Sequence, residues 1–456
     1  METLTPMDER IVQAVDTRQE LDLRIGASFT RLQSLFLQKK FPVELGHNLI
    51  SYGSCQFPTL GFIVERYNAI QEFQVEPFWR IELRHTRDNS TTNFNWQRGR
   101  LFSEPATSAI FNSVRNCGRA KVIDIKTMPK SKWRPCPLET VELEKKARMM
   151  GTNAKTIMST AEKLYTRGFI SYPRTETNIF PPSLALEPLV DNLTGDNRFG
   201  EFAANLLQSG LNCRQGKKSD QAHPPIHPLK NGAGLTGLEA KVFEFIARRF
   251  LACLSRDARG SEVTCRLEVL TEQFEAKGLT IHDRGYLEVY PYEKWGDKHL
   301  PEYRLHEIIT PQFDMNQGAT SPPKLLSESD LIGLMDKHGI GTDATHADHI
   351  ETIQQRGYCS TNNENRFQPN PLGIALVTAY GDLSIPLAGH QLRASLENDL
   401  KRICDGQATK DDVLRTQLNA YEEAYTKVDR SLDLFYQRMT QFYGEGNRDP
   451  VQLPQG

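Results

Sequence analysis

Hydrophobic positions along the chain switch between helical and strand spacing, and the switches divide it into stretches. At the start Ala14, Leu21, Ile25, Phe29 and Leu32 fall on one helical face, while Arg18, Glu20, Asp22, Arg24 and Arg31 supply the polar side. Residues 79–84 and 122–125 turn strand-like, with β-branched and aromatic residues among them. Residues 129–137, rich in proline and lysine with one tryptophan, read as a connection. A helical block follows to about Leu254, strand-like text returns from 262 to 311, and 327–425 reads helical again.

This alternation predicts a multidomain α+β fold with nested parts. An inserted helical domain (136–261) sits in a β-rich domain (77–135 and 262–320), itself set in an outer helical domain (1–76 and 321–443), with a loose tail at 444–456. Five separate beads are the alternative. Short connections and the lack of a Gly/Ser-rich spacer favour nesting, and no internal repeat is evident.

Composition narrows the function less than it narrows the class. The 456 residues are 38% hydrophobic and 25% charged, enough for several cores. Net charge is −2, so a nucleic-acid site must arise from local basic clustering rather than a global field. The eight cysteines are scattered without zinc-finger pairs, and read as reduced thiols of an intracellular protein. No stretch is long and apolar enough to span a membrane, so no membrane partner is expected. The polar start at Met1 reads as a cut edge or an alternative start.

The densest chemistry lies in Gly168-Phe169-Ile170-Ser171-Tyr172-Pro173-Arg174-Thr175-Glu176-Thr177. Ile157, Ala161, Leu164 and Tyr165 predict a buried helix face upstream, with Asn153 as its cap and Gly168 at its end. Residues 169–172 then predict a short strand that Pro173 stops. Tyr172 is left at the strand end, two residues from a permanent cation, an arrangement suited to attack on a phosphodiester. A strand-end tyrosine packing over a turn fits the same pattern.

Three further motifs stand out. Gln221-Ala222-His223-Pro224-Pro225-Ile226-His227-Pro228 predicts a stiff loop, made basic by Arg214, Lys217 and Lys218, in which a histidine contacts phosphate, shuttles a proton or merely caps. Lys337-His338-Gly339-Ile340-Gly341-Thr342-Asp343-Ala344-Thr345-His346 ends one helix and opens another, with Thr345 as a cap. Phosphate contact or helix–turn–helix packing fits it better than a metal held by His346 and His349. Ser51-Tyr52-Gly53-Ser54-Cys55-Gln56 opens an apolar helix. Ser51 and Gln56 there can bond phosphates or base edges and Tyr52 can stack on a base, or the segment is an ordinary helix start. Neither a Walker loop nor a dinucleotide fingerprint is present, so nothing points to ATP or NAD.

In this order, the four motifs resemble those of the type IA DNA topoisomerases, most closely the alpha form of their eukaryotic type III branch. The matching stretches are SYGSCQFPTLGFIVER (51–66), AEKLYTRGFISYPRTETNIFP (161–181), SDQAHPPIHP (219–228) and LMDKHGIGTDATHADHIETIQQRGY (334–358). The resemblance implies a torus of helical domains and a β-rich arch. It implies that Tyr172 attacks single-stranded DNA, forming a 5′-phosphotyrosyl bond and freeing a 3′-hydroxyl. Strand passage and religation follow without ATP, because the phosphotyrosine keeps the bond energy. Arg174 would steady the phosphate and assist a phenol whose free pKa is about 10. His223 would contact phosphates at the scissile region, and Ser51, Gln56, Thr345 and Arg356 would line the strand groove.

The resemblance also sets expectations beyond this sequence. The family binds Mg²⁺ through acidic residues of an N-terminal Toprim domain, and no Asp-x-Asp-x-Glu pattern precedes Tyr172. The chain is therefore expected to carry the core without Toprim, without C-terminal zinc fingers and without metal ligands of its own, and to cleave poorly alone. A RecQ-type helicase, an OB-fold accessory protein and a nuclear or mitochondrial location follow from the family. A non-catalytic DNA-binding or scaffold fragment is the competing reading. A tyrosine recombinase would need further basic residues around its nucleophile.

Overall fold

The computed structural model describes residues 7–443 apart from Asp343 and Pro386, so the predicted tail at 444–456 and the reading of Met1 lie outside the described residues. The first helix, Glu9–Lys40, opens where Asp8 accepts the Arg10 N–H at 2.9 Å. Its buried face includes Ala14, Leu21, Ile25, Phe29 and Leu37. Leu32 is only partly covered, because the face passes instead through Gln33 and Ser34. Those two polar groups are satisfied by the backbone of Ile50: Gln33 Nε2 donates to its carbonyl at 2.7 Å, and Ser34 Oγ bonds both its N–H and its C=O at 3.1 Å.

Among the described residues one large sheet is built from β1 (Pro77–Arg87), β2 (Ser90–Trp96), β3 (Ala120–Lys132), β4 (Ala258–Val269), β5 (Glu272–Asp283), β6 (Ile308–Ile309) and β7 (Gln312–Ala319). All pairs are antiparallel, in the order β6-β3-β4-β5-β2-β1-β7. β6 and β7 lie at opposite edges, yet only Thr310 and Pro311 separate them in sequence. That link reaches at most about 11 Å, roughly two strand spacings, so the sheet must curl until its edges nearly meet. Its interior is packed by Ile81, Leu83, Phe94, Trp96, Val122, Leu267 and Phe274.

Two strand expectations need correction. β3 continues through Pro129 to Lys132, where the sequence reading has a connection. Proline is tolerated because β6 and the residues before it cover β3 only from Ala120 to Val122, and no strand pairs with that edge at Pro129 among the described residues, so no donor is needed there. Between Asp283 and Ile308, where strand-like text is expected, Gly285–Glu288 forms a short 3₁₀ turn, and Pro291, Gly296 and Pro301 punctuate the remainder.

The inserted helices hang between β3 and β4, whose pairing reaches Lys132 opposite Ala258. They are not isolated. One hydrophobic cluster runs from Ile157, Leu164 and Phe250 of this module to Leu60, Met335 and Leu376 of the outer helices. A two-stranded hairpin of β8 (Cys359–Thr361) and β9 (Phe367–Pro369) lies on the outer module.

Candidate active site

Tyr172 follows a helix whose ends are set locally. Asn153 Oδ1 accepts the Thr156 N–H at 2.8 Å and opens helix Ala154–Thr166. Gly168, at φ +69°, closes it: its N–H donates to the Tyr165 carbonyl (2.8 Å) and the Phe169 N–H to the Leu164 carbonyl (2.9 Å). Ile157, Ala161 and Leu164 are buried as the spacing predicts. Tyr165 is exposed and sets its ring edge-on to Tyr172, with centroids 5.3 Å apart.

The strand predicted for residues 169–172 shortens to one bridge, Ile170 with Pro228. The Ser171 N–H donates to the His227 carbonyl and the Leu229 N–H to the Phe169 carbonyl, both at 2.9 Å. No longer ladder can form, because Pro224, Pro225 and Pro228 bring no N–H to the pairing. The two histidines of this loop separate in role. His227 is buried, bonds the Pro225 carbonyl through Nδ1 at 2.7 Å, and burial pushes its imidazole below the usual range, so it braces the loop. His223 instead lays its ring 4.8 Å from that of Tyr172.

Asp220 joins this loop to the tyrosine segment. Its Oδ1 accepts the N–H groups of Ala222 (2.9 Å) and His223 (2.8 Å), and its Oδ2 accepts Thr175 Oγ1 at 3.0 Å and faces His223 Nδ1 at 3.4 Å. Partial burial raises its carboxyl, but these bonds more than offset that and hold it well below the ordinary carboxylate range. The Tyr172 hydroxyl accepts and donates no hydrogen bond among the described residues. It is free to meet a ligand.

Arg174 is half-buried and engaged through Nε and Nη1. Its Nε donates to Glu162 (2.7 Å), and its Nη1 donates to the Ala344 carbonyl (2.8 Å) and faces Asp348 (3.4 Å). Burial opposes its charge, and Glu162 and Asp348 more than offset that, so the guanidinium holds its proton firmly. Asp348 also takes Lys155. The tyrosine segment is thus tied to the Lys337–His346 motif of the outer module.

The other two motifs meet on that outer module. Tyr358 donates its hydroxyl to the Ser51 carbonyl at 2.7 Å, and Phe62 lies 5.4 Å from His338. Ser54 donates to Asp22 (2.7 Å). Arg393, only 1% exposed, donates to Ser54 (3.0 Å) and Asp22 (3.1 Å) and pairs with Glu397, which accepts Thr342 Oγ1 at 3.2 Å. Ser51 Oγ and Gln56 Oε1 are buried without a hydrogen-bond partner among the described residues. Arg356 ends helix His346–Gln355 and is exposed. Thr345 holds the N-cap position but does not cap, since its hydroxyl turns to the Thr342 carbonyl (3.0 Å) and His349 Nε2 (3.2 Å). Tyr52 cannot stack on a base: its ring is buried between Phe29 (5.0 Å) and Phe57 (4.7 Å). His346 and His349 diverge, His346 Nδ1 lying 3.4 Å from Glu144.

The family profile described as DNA topoisomerase matches residues 6–415. The sequence is 51% identical over 448 residues to DNA topoisomerase 3-alpha of Homo sapiens, covering 98% of this chain and 45% of that one. The chain belongs to the type IA DNA topoisomerases. DNA topoisomerase 3 of Caenorhabditis elegans is 48% identical over 456 residues, covering 98% of this chain and 60% of that one. The chain spans about half the length of these curated relatives. Full-length topoisomerase I from Thermotoga maritima shares the fold, with a TM-score of 0.75 at 20% identity over 92% of this chain and 69% of that one.

In this type IA chain the long-range partners are what the sequence reading misses. Asp220 lies inside a quoted motif and is passed over because its bonds reach a segment 45 residues away. Asp348 and Arg393 look like ordinary residues of solvated helix faces until the fold brings their partners to them. Among the described residues no three His, Cys, Asp or Glu side chains gather as a metal site. The residues around Tyr172 thus do not by themselves fit the Mg²⁺ that type IA topoisomerases use.

Proposed function

We propose that this chain is the strand-cleaving core of a DNA topoisomerase acting on single-stranded DNA. Tyr172 Oη attacks a backbone phosphorus, the bond from phosphorus to the 3′-oxygen breaks, and a 5′-phosphotyrosyl link and a 3′-hydroxyl result. After another strand passes, the 3′-hydroxyl reverses the attack, so the broken bond's energy is kept and ATP is not consumed. Arg174 steadies the phosphate charge and His223 contacts the reacting region. Ser51, Gln56, Thr345 and Arg356 contribute to the strand groove of the outer module. The observation that carries this reading is Tyr172, whose hydroxyl has no hydrogen-bond partner among the described residues and whose ring packs against those of Tyr165 and His223 just after a helix stop.

Resemblance to the alpha branch supports the finer parts of the proposal: Mg²⁺ held by a Toprim domain, a RecQ-type helicase and an OB-fold protein as partners, and a nuclear role in DNA repair and recombination. No described helix is long and apolar enough to cross a membrane. The test mixes the chain with a single-stranded oligonucleotide and Mg²⁺, with and without a separately made Toprim domain, then denatures and looks for covalent DNA. The expected result is an adduct when Toprim is supplied. Binding without an adduct in either condition would leave only a DNA-binding scaffold.

A further inference from the structure

The loop that carries His223 is organised around one carboxylate. Asp220 Oδ1 gathers the N–H groups of Ala222 and His223, and Gln221 between them is held at φ +60°, a region non-glycine residues seldom adopt. Its Oδ2 takes Thr175 Oγ1 (3.0 Å) and the Glu176 N–H (3.4 Å), both on the segment that follows Tyr172. The Asp220 N–H in turn donates to Thr177 Oγ1 at 2.9 Å. The same Oδ2 faces His223 Nδ1 at 3.4 Å, while the His223 ring rests on that of Tyr172.

An ionised carboxylate only accepts hydrogen bonds. A neutral imidazole carries its proton on one nitrogen, and the partner of Nδ1 decides which. We infer that Asp220 is a positioning residue: it fixes His223 as the Nδ1–H tautomer, which leaves Nε2 as the lone-pair nitrogen at Tyr172, and it locks that imidazole to the tyrosine segment through Thr175 and Glu176. In the attack, once the phenol turns to it, Nε2 is the nitrogen able to accept the phenol proton as the Tyr172 oxygen bonds to phosphorus, and the departing 3′-oxygen takes its proton from solvent. In religation the attacking 3′-hydroxyl gives its proton to solvent, and the imidazole returns its own to the phenol oxygen as the phosphorus–tyrosine bond breaks. The hydrogen-bond partners of Asp220 are Thr175, Glu176, Thr177, Ala222 and His223, not the phenol, so it acts through His223.

The inference rests on the reading of Tyr172 as nucleophile, and two readouts keep them apart. In histidine-labelled protein, ¹⁵N NMR reports the tautomer directly, with the His223 signal assigned by its loss in His223→Gln. Wild type should show Nδ1–H. In Asp220→Asn the amide can donate to Nδ1, and the signal should move to the Nε2–H form. In single-turnover cleavage with Toprim supplied, the same variant should lose about 10- to 100-fold in rate, with oligonucleotide affinity within about twofold of wild type. Asp220→Glu, which retains a carboxylate, should keep the tautomer and recover part of the rate. If the Asn variant does not fold, Asp220→Ser preserves the turn's acceptor without the carboxylate and should also lose the Nδ1–H form. An unchanged tautomer in the folded Asn or Ser variant overturns the inference, as does a changed tautomer with an unchanged cleavage rate. An adduct that persists in Tyr172→Phe overturns the nucleophile assignment instead, and the NMR result stands apart from it.

Discussion

Arg174 and Asp348 face each other at 3.4 Å across the junction between the inserted and outer helices. Around them Lys155 reaches Asp348 and Glu351, and Lys218 reaches Asp336 at 3.3 Å. In each of these pairs the cation belongs to the inserted module and the carboxylate to the outer one. Partly exposed pairs of this kind contribute only about 0–1 kcal/mol each and weaken with salt. These ion pairs add little to the hydrophobic cluster that joins the two modules, and on the proposed function a DNA phosphate at this junction would compete with Asp348 for Arg174 and Lys155.

Asp348→Asn is therefore expected to raise affinity for a single-stranded oligonucleotide about two- to fivefold at low salt and to steepen its loss as salt rises. Fluorescence anisotropy at two ionic strengths measures both. Unchanged or weaker binding would show that Asp348 does not compete with phosphate.

Acid should loosen the same region. The Asp348 carboxyl is raised by burial, but Lys155 and Arg174 more than offset this and hold it below the usual range; Asp220 is likewise depressed. A depressed folded pKa means that the stabilisation is fully present above the unfolded Asp value of about 3.9 and is lost as pH falls below it. Urea unfolding between pH 7 and pH 3 should show stability falling steeply below about pH 4. The fall should be shallower in Asp348→Asn, and an identical profile would remove Asp348 from the account.

Tyr172→Phe should abolish the covalent adduct while leaving the melting temperature nearly unchanged. The hydroxyl has no hydrogen-bond partner among the described residues, and the ring contacts with Tyr165 and His223 survive in phenylalanine. A stability change beyond about 0.5 kcal/mol would mean that the hydroxyl has a structural role.

His346→Ala should be costly for a different reason. Glu144 is buried with both carboxyl oxygens lacking a hydrogen bond among the described residues, and His346 Nδ1 lies 3.4 Å from it. Removing the ring takes away the polar neighbour of that carboxyl and opens a cavity, a loss of about 3 kcal/mol. The double variant with Glu144→Gln should be less destabilised than the sum of the two single changes. Strict additivity in a urea-denaturation cycle would falsify the coupling.

Gly61→Ala tests the packing of the first motif. A Cβ there would lie 2.1 Å from the Ala388 carbonyl oxygen, so backbone must move. Destabilisation of about 1–3 kcal/mol is expected, read as a lowered denaturation midpoint, and a neutral substitution would contradict this close approach.

What the sequence makes legible here is what neighbours in the chain decide. Helix Ala154–Thr166 is readable at both ends because Asn153 and Gly168 act within a few residues. The alternation of helical and strand-rich text is readable for the same reason, and the four motifs carry the family resemblance. The bridge at Ile170 is not readable as such, since its length depends on prolines in a partner segment more than fifty residues away. Tyr52 reads as an available ring because nothing local announces that Phe29 and Phe57 enclose it. Arg174 reads as a free cation, and only the fold reveals that Glu162 and Asp348 already hold it.

The pairing of Lys132 with Ala258 at the end of β3 and β4 has one more consequence. Topologically, residues 133–257 are the loop of a β-hairpin, however large. Both ends of that loop leave the sheet side by side, so replacing it with a two-residue turn closes the hairpin without stretching either strand.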